Sequence, residues 1–258
     1  KNYFKAYGKE HTNKELLKFA SYGATEFNLK KIKKTSLVAN PGCYALCALL
    51  SLAPLTKVKF IDFKKNIKIH AINGTTGAGA SLRKEISHEN ATENMLAYNA
   101  MGHRHAPEIE EKLENLFNVK NACVDLNTAH GNFRRGIFMQ ISLELQKNFK
   151  GKLSRNILIK KYKEFYKNKK IHNFVSINEF ERTGEKNDKD YMIYPQLNNV
   201  IGTNNCLIGL DFDQDRKIVK IISVIDNLVK GAAGSAIQNM NIRLNFEMNE
   251  GLETSGIF

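Results

Sequence analysis

The sequence contains no tryptophan, only four cysteines, and no apolar run long enough to span a bilayer. Without tryptophan, zinc-finger spacing or a recognisable RNA-binding signature, it has no obvious stacking platform for nucleic acid. Cys43, Cys47, Cys123 and Cys206 are too few and too scattered for a disulfide framework or a paired CxxC zinc site. All four are therefore expected as reduced thiols, and no metal site is expected. The longest mostly apolar stretch, residues 44–55, is broken by Pro54 and falls well short of the roughly 20 residues a spanning helix needs. Neither an initiator methionine nor the apolar core of a signal peptide opens the chain. The expectation is a cytoplasmic protein whose start is missing.

Basic residues are in excess, with 39 Lys and Arg against 26 Asp and Glu and a net charge of +13. Clustered cations gain affinity for nucleic acid by releasing phosphate counterions, so clustering decides the matter. The densest stretch, residues 147–170, places Leu153, Ile157, Leu158, Tyr162, Phe165 and Tyr166 between its lysines at near-helical spacing. That pattern is a solvated helix with one apolar stripe. No nucleic-acid partner is expected, and the charge suits a small anionic substrate.

Along the chain, Asn13 caps a helix expected over residues 13–20. A short strand over 36–39 runs into Asn40-Pro41-Gly42-Cys43, and an apolar helix over 44–52 stops at Pro54. Alternation predicts a strand over 67–72, followed by the glycine-rich loop 73–79. Further strands are expected over 138–145, 174–177, 206–211 and 218–224, and helices over 108–117, the lysine-rich segment and 227–239. The mixture of strand runs and strand-helix alternation gives an α/β or α+β class.

Four motifs carry chemistry. In Asn40-Pro41-Gly42-Cys43-Tyr44, a turn holds a thiol at the positive end of the following helix, where thiolate, the nucleophilic form, is favoured. Cys43 is expected to be the fast-alkylating thiol; the bland alternative is a buried cysteine in a tight turn, the reading given to Cys47. His103-Arg104-His105-Ala106-Pro107-Glu108 brings together proton donors, an anion binder and a carboxylate, or else is only a polar loop. Gly74-Thr75-Thr76-Gly77-Ala78-Gly79 has the look of a phosphate loop without GxGxxG spacing. Residues 226–239, DNLVKGAAGSAIQN, leave a nearly bare helix face that admits either a flat cofactor or a close-packed backbone.

In this order, the motifs resemble the N-acetyl-gamma-glutamyl-phosphate reductases, a branch of the semialdehyde dehydrogenases. Tyr7-Gly8, His11, Tyr22-Gly23, Glu26, Arg135-Gly136-Ile137 and Gly202-Thr203-Asn204 extend the likeness over nearly the whole chain. The resemblance implies the remnant of a Rossmann NADP-binding domain over 1–42, an α+β catalytic and dimerisation domain over 43–224, and a helix over 225–258 that returns to the first domain. It implies reduction of an acyl phosphate by NADPH through a thioacyl intermediate on Cys43, with His103 preferred to His105 as the acid-base residue. Asn40, Tyr98, Arg104, His105 and Glu108 would line or support the substrate pocket, and Gly77, Ala78, Gly79 and Asn227 would meet NADP. A homo-oligomer, dimer or tetramer, is expected. The family's N-terminal GxxGxxG loop is missing, so the chain as given is expected to keep the catalytic-domain fold yet bind NADPH weakly and turn over little substrate. An aminoadipate-type or carrier-bound acyl-phosphate reductase, and a non-catalytic oligomerising fragment, are the competing readings.

Overall fold

The computed structural model describes residues 2–80, 83–184 and 189–256. Its helices are α1 (Asn2–Tyr7), α2 (Leu16–Phe19), α3 (Thr25–Ile32), α4 (Cys43–Leu52), α5 (His88–Ala91), α6 (His105–Phe117), α7 (Arg155–Phe165) and α8 (Gly234–Leu244). Strands β1 (Ala20–Tyr22) and β2 (Leu37–Ala39) form a small parallel pair. The remaining strands are β3 (Asn66–Asn73), β4 (Leu96–Tyr98), β5 (Cys123–His130), β6 (Ile137–Glu144), β7 (Val175–Ile177), β8 (Cys206–Asp213) and β9 (Ile218–Ile225). They form a mixed seven-stranded sheet in the order β4-β5-β3-β6-β9-β8-β7.

Side-chain period explains the layers. On β3, Ile67, Ile69 and Ala71 point inward, and on β6 Ile137, Met139, Ile141 and Leu143 do the same, each separated by a more exposed residue. Helix α4 lies against this face, and every residue from Tyr44 to Leu52 is buried, which is why its sequence is apolar all round. Each fully buried leucine there is worth roughly 1.5–3 kcal/mol in water exclusion. Helix α6 turns Ile109 and Leu113, one helical turn apart, into the same core. Tyr162 of α7 donates its hydroxyl to the Ser51 carbonyl (2.7 Å), tying the lysine-rich helix to the end of α4.

Three expectations change. The helix expected over 13–20 shrinks to Leu16–Phe19, because residues 20–22 pair with β2 instead. Strand β5 is an addition; its inward positions include Thr128 and His130, which weaken the apolar alternation. The last helix continues to Leu244, and its entry, Val229–Ala233, is a π-helical turn, so Asn227 lies in the turn before the helix.

Candidate active site

β2 ends at Ala39 and α4 begins at Cys43, so the Asn40-Pro41-Gly42 turn delivers the thiol to the helix N-terminus, as its sequence leads one to expect. Two glycines frame it. A Cβ on Gly42 would lie 2.3 Å from His105 Nε2, and one on Gly231 would lie 2.8 Å from Cys43 Cβ. Glycine at 42 admits the imidazole, and glycine at 231 admits the turn before α8. The thiol departs from expectation. Burial outweighs the helping backbone N–H groups of Tyr44 and Cys43 and pushes the Cys43 thiol up to about 11. Cys43 is half-buried, whereas Cys123 is exposed; all four cysteines are free.

The histidines beside it are neutral at pH 7. Burial, reinforced by Arg104, brings His103 down to about 4. Burial, then His103 and Arg104, brings His105 down to about 3. The backbone N–H of His105 donates to His103 Nδ1 (3.1 Å), so a neutral His103 carries its proton on Nε2. His103 is thereby a donor at Nε2, and the buried Nδ1 of His105 has no partner among the described residues.

Around the imidazoles the hydroxyls of Tyr44 and Tyr98 meet at 2.7 Å, and His130 stacks on Tyr98 with ring centres 4.4 Å apart. His130 Nδ1 lies 3.2 Å from Asn73 Oδ1. Asn73 in turn fills the space that a Cβ on Gly77 would need, at 1.7 Å. Tyr44, Asn73 and His130 are pocket residues that the sequence does not single out; the alternation of β3 reaches Asn73, whereas His130 is found only once β5 is seen to pair with β3.

The other expected site residues divide. Glu108 Oε1 accepts from Gly42 N (3.0 Å) and Tyr22 hydroxyl (2.7 Å), so the carboxylate shapes the nucleophile turn. Burial raises its pKa. Asn40 spends its amide on Ala232 O (3.1 Å), Ser235 Oγ (3.0 Å) and Asn239 Nδ2 (2.9 Å). Asn227 bridges two loops, accepting from Gly136 N (2.6 Å) and donating to Thr76 Oγ1 (3.1 Å). It therefore reaches the glycine loop, a turn over Thr75–Ala78 followed by Gly79 at φ +85° with open space on its Cβ side. Arg135 Nε lies 2.8 Å from the buried Asp226 carboxylate without hydrogen-bond alignment. A groove of about 630 Å³ lined by Ile177, Phe180, Met192, Tyr194 and Leu207 contains none of these residues. Among the described residues no cluster has the donors for a metal ion.

Residues 43–227 match the semialdehyde dehydrogenase dimerisation domain family. An N-acetyl-gamma-glutamyl-phosphate reductase of Halothermothrix orenii is 36% identical over 256 residues, covering 99% of this chain and 68% of the relative. The reductase of Campylobacter jejuni strain 81-176 is 39% identical over 254 residues, covering 98% and 68% respectively. The chain belongs to the N-acetyl-gamma-glutamyl-phosphate reductase family.

Solved structures agree at the level of fold. Aspartate semialdehyde dehydrogenase II from Vibrio cholerae superposes with a TM-score of 0.64 at 13% identity, over 88% of this chain and 69% of that one. The aspartate semialdehyde dehydrogenase of Francisella tularensis gives 0.64 at 16%, over 87% and 71%. As in those semialdehyde dehydrogenases, the sheet is mixed and flanked by helices, so the reductase-family motifs sit on the fold that the resemblance implied.

Proposed function

We propose that this chain reduces N-acetyl-gamma-glutamyl phosphate to N-acetylglutamate 5-semialdehyde with NADPH, in arginine synthesis, through a thioacyl intermediate on Cys43. The observation that carries this reading is the seating of Cys43 at the start of α4, with His105 packed on the preceding glycine. As Sγ attacks the acyl carbon, the thiol proton passes to the neutral His105 ring. A C–S bond forms, and the carbon–oxygen bond to phosphate breaks with its electron pair on the leaving group. Splitting the reduction in this way places both charge-developing steps within reach of fixed donors. The Tyr44 N–H at the helix start, beside the thiol, and His103 Nε2–H are the donors assigned to the carbonyl oxygen as it gains charge.

NADPH, when bound, supplies the hydride that reduces the thioester carbon. The residues present fit its nicotinamide end. Gly231 abuts Cys43, and the next side chains, Ala232 and Ala233, are small and exposed, leaving a flat shelf beside the thiol. Gly77–Gly79 and Asn227, joined through Thr76, are assigned to the same nicotinamide region. Residues 1–42 and 225–258 are read as parts of a nucleotide-binding domain, and 43–224 as the catalytic and dimerisation domain. The dimerisation-domain match supports a homo-oligomer. Free thiols suit the reducing cytoplasm, and no described helix is long and apolar enough to cross a membrane.

The test is complementation. In an arginine auxotroph lacking this reductase, the gene joined to a relative's N-terminal nucleotide-binding segment, which supplies the phosphate loop, restores growth without arginine and its Cys43→Ala form does not. Growth with Cys43→Ala, or none with the joined gene despite soluble expression, contradicts the assignment.

A further inference from the structure

Gly231 touches the nucleophile from a turn that needs outside support. Its N–H bonds to Asp226 O (2.9 Å) and that of Ala233 to Leu228 O (2.9 Å), each five residues back. Such π-helical turns are rare, tend to occur at functional sites, and persist where neighbouring structure holds them. The support here is Lys230, a fully buried lysine one residue from the contact.

The Lys230 ammonium donates to Glu26 Oε1 on α3 (2.5 Å) and to Gln238 Oε1 on α8 (2.9 Å). It also lies 5.4 Å from the centre of the Phe174 ring. Gln238 Nε2 closes the triangle on Glu26 Oε1 (3.1 Å). Burial on its own raises the Glu26 carboxyl, but Lys230 and Gln238 outweigh it and hold the group below its ordinary value. The Glu26 carboxylate form is therefore favoured beside Lys230 in a dry interior. Replacing a buried ion pair by apolar groups is often neutral or stabilising, so net stability is a poor reason for this one. What the pair does is fix the turn by directional bonds. On one side of Lys230 the chain is pinned at Asp226; on the other, Gly231 rests on Cys43, and the Ala232 carbonyl takes a bond from Asn40 in the nucleophile turn (3.1 Å).

We propose that Lys230 and Glu26 form a positioning latch for the nucleophile: their buried pair sets the π-turn, and the turn sets the place and cover of Cys43. The latch rests on the reading of Cys43 as the acylated residue. Neither Lys230 nor Glu26 touches substrate; both act through Gly231 and Asn40.

The test compares the unaltered chain with a variant lacking both charges, Lys230→Met/Glu26→Gln. Two rates are read: single-turnover phosphate release from N-acetyl-gamma-glutamyl phosphate, and iodoacetamide labelling of Cys43 relative to the exposed Cys123. With the fold retained by circular dichroism, phosphate release is expected to fall about tenfold or more through misplacement of the thiol. Cys43 labelling relative to Cys123 is expected to rise, because its cover has loosened. A rise confined to Cys43, with the buried Cys47 and Cys206 still protected, is a signature that general destabilisation, which opens all three, does not give. Both rates unchanged, or both lowered together, in a folded variant overturns the latch. If the double variant unfolds, Gln238→Met, which removes only the second acceptor of Lys230, decides: movement in the same two directions supports the latch, and no movement overturns it. If the unaltered chain releases no phosphate, the reading of Cys43 fails by itself, and the labelling ratio still judges the latch.

Discussion

The His105 backbone N–H donates to Nδ1 of His103 at 3.1 Å, and in the proposed reaction this one bond gives different work to two histidines close together in the chain. It leaves His103 with a proton on Nε2 and leaves His105 to accept one. We expect His105→Ala to slow acylation of Cys43 by about 100-fold or more, as for loss of a general base. Nitrogen NMR of the unaltered protein at pH 7 is expected to find His103 neutral and protonated on Nε2. An Nδ1-protonated His103 reverses the two roles.

The Cys43 thiol, pushed up to about 11 by burial, is mostly protonated at neutral pH. Its iodoacetamide labelling is therefore expected to climb about tenfold per pH unit between pH 7 and 9, following the thiolate fraction. At pH 7 the exposed Cys123 labels first. Peptide mapping of a timed reaction checks both statements; Cys43 labelling fast and pH-independent above pH 7 means the helix N-terminus has overcome burial after all.

Acid is expected to destabilise the fold through the same histidines. Their folded values, about 4 for His103 and about 3 for His105, lie below the ordinary 6.5, so the unfolded chain binds more protons in between. Their contribution is complete above pH 6.5 and is lost as pH falls through the folded values. The melting temperature is expected to drop from pH 7 to pH 5, and to drop less in His105→Asn. Equal slopes for the two proteins remove His105 from this account.

Gly42→Ala tests the contact between turn and imidazole. The added methyl would stand 2.3 Å from His105 Nε2, so the ring must move. We expect a cost of about 1–3 kcal/mol in urea unfolding, typical of overpacking, together with slowed acylation. Gly79→Ala is a contrast in space, since nothing lies within 4 Å of its Cβ position, although its φ of +85° strains any side chain.

Much of the fold was legible where pattern and burial coincide. The apolar helix after Gly42, the alternating strands β3 and β6, the apolar strand β9, and the nucleophile turn all lie where period and punctuation place them. β5 was not legible because Asp125 and Asn127 disfavour strands and its inward positions end in Thr128 and His130, polar residues that only tertiary contacts bury. With the strand, the sequence hid His130 and its stacking on Tyr98. The two influences on the Cys43 thiol differ in the same way: a helix terminus is visible in sequence, whereas the burial that opposes it needs residues far along the chain, such as Gly231, folded against it. Lys230 likewise reads as a surface lysine until Glu26 and Gln238 are folded around it.

The proposed reaction requires Cys43 to take an acyl group from an acyl phosphate. Mixing the protein with N-acetyl-gamma-glutamyl phosphate, quenching in acid, and mapping the peptides by mass spectrometry reads that bond directly. The expected result is one N-acetylglutamyl group per chain in thioester linkage, on the peptide containing Cys43, with phosphate released in equal amount and neither event in Cys43→Ser. Phosphate release that persists in Cys43→Ser, or an acyl group found on another residue, contradicts it.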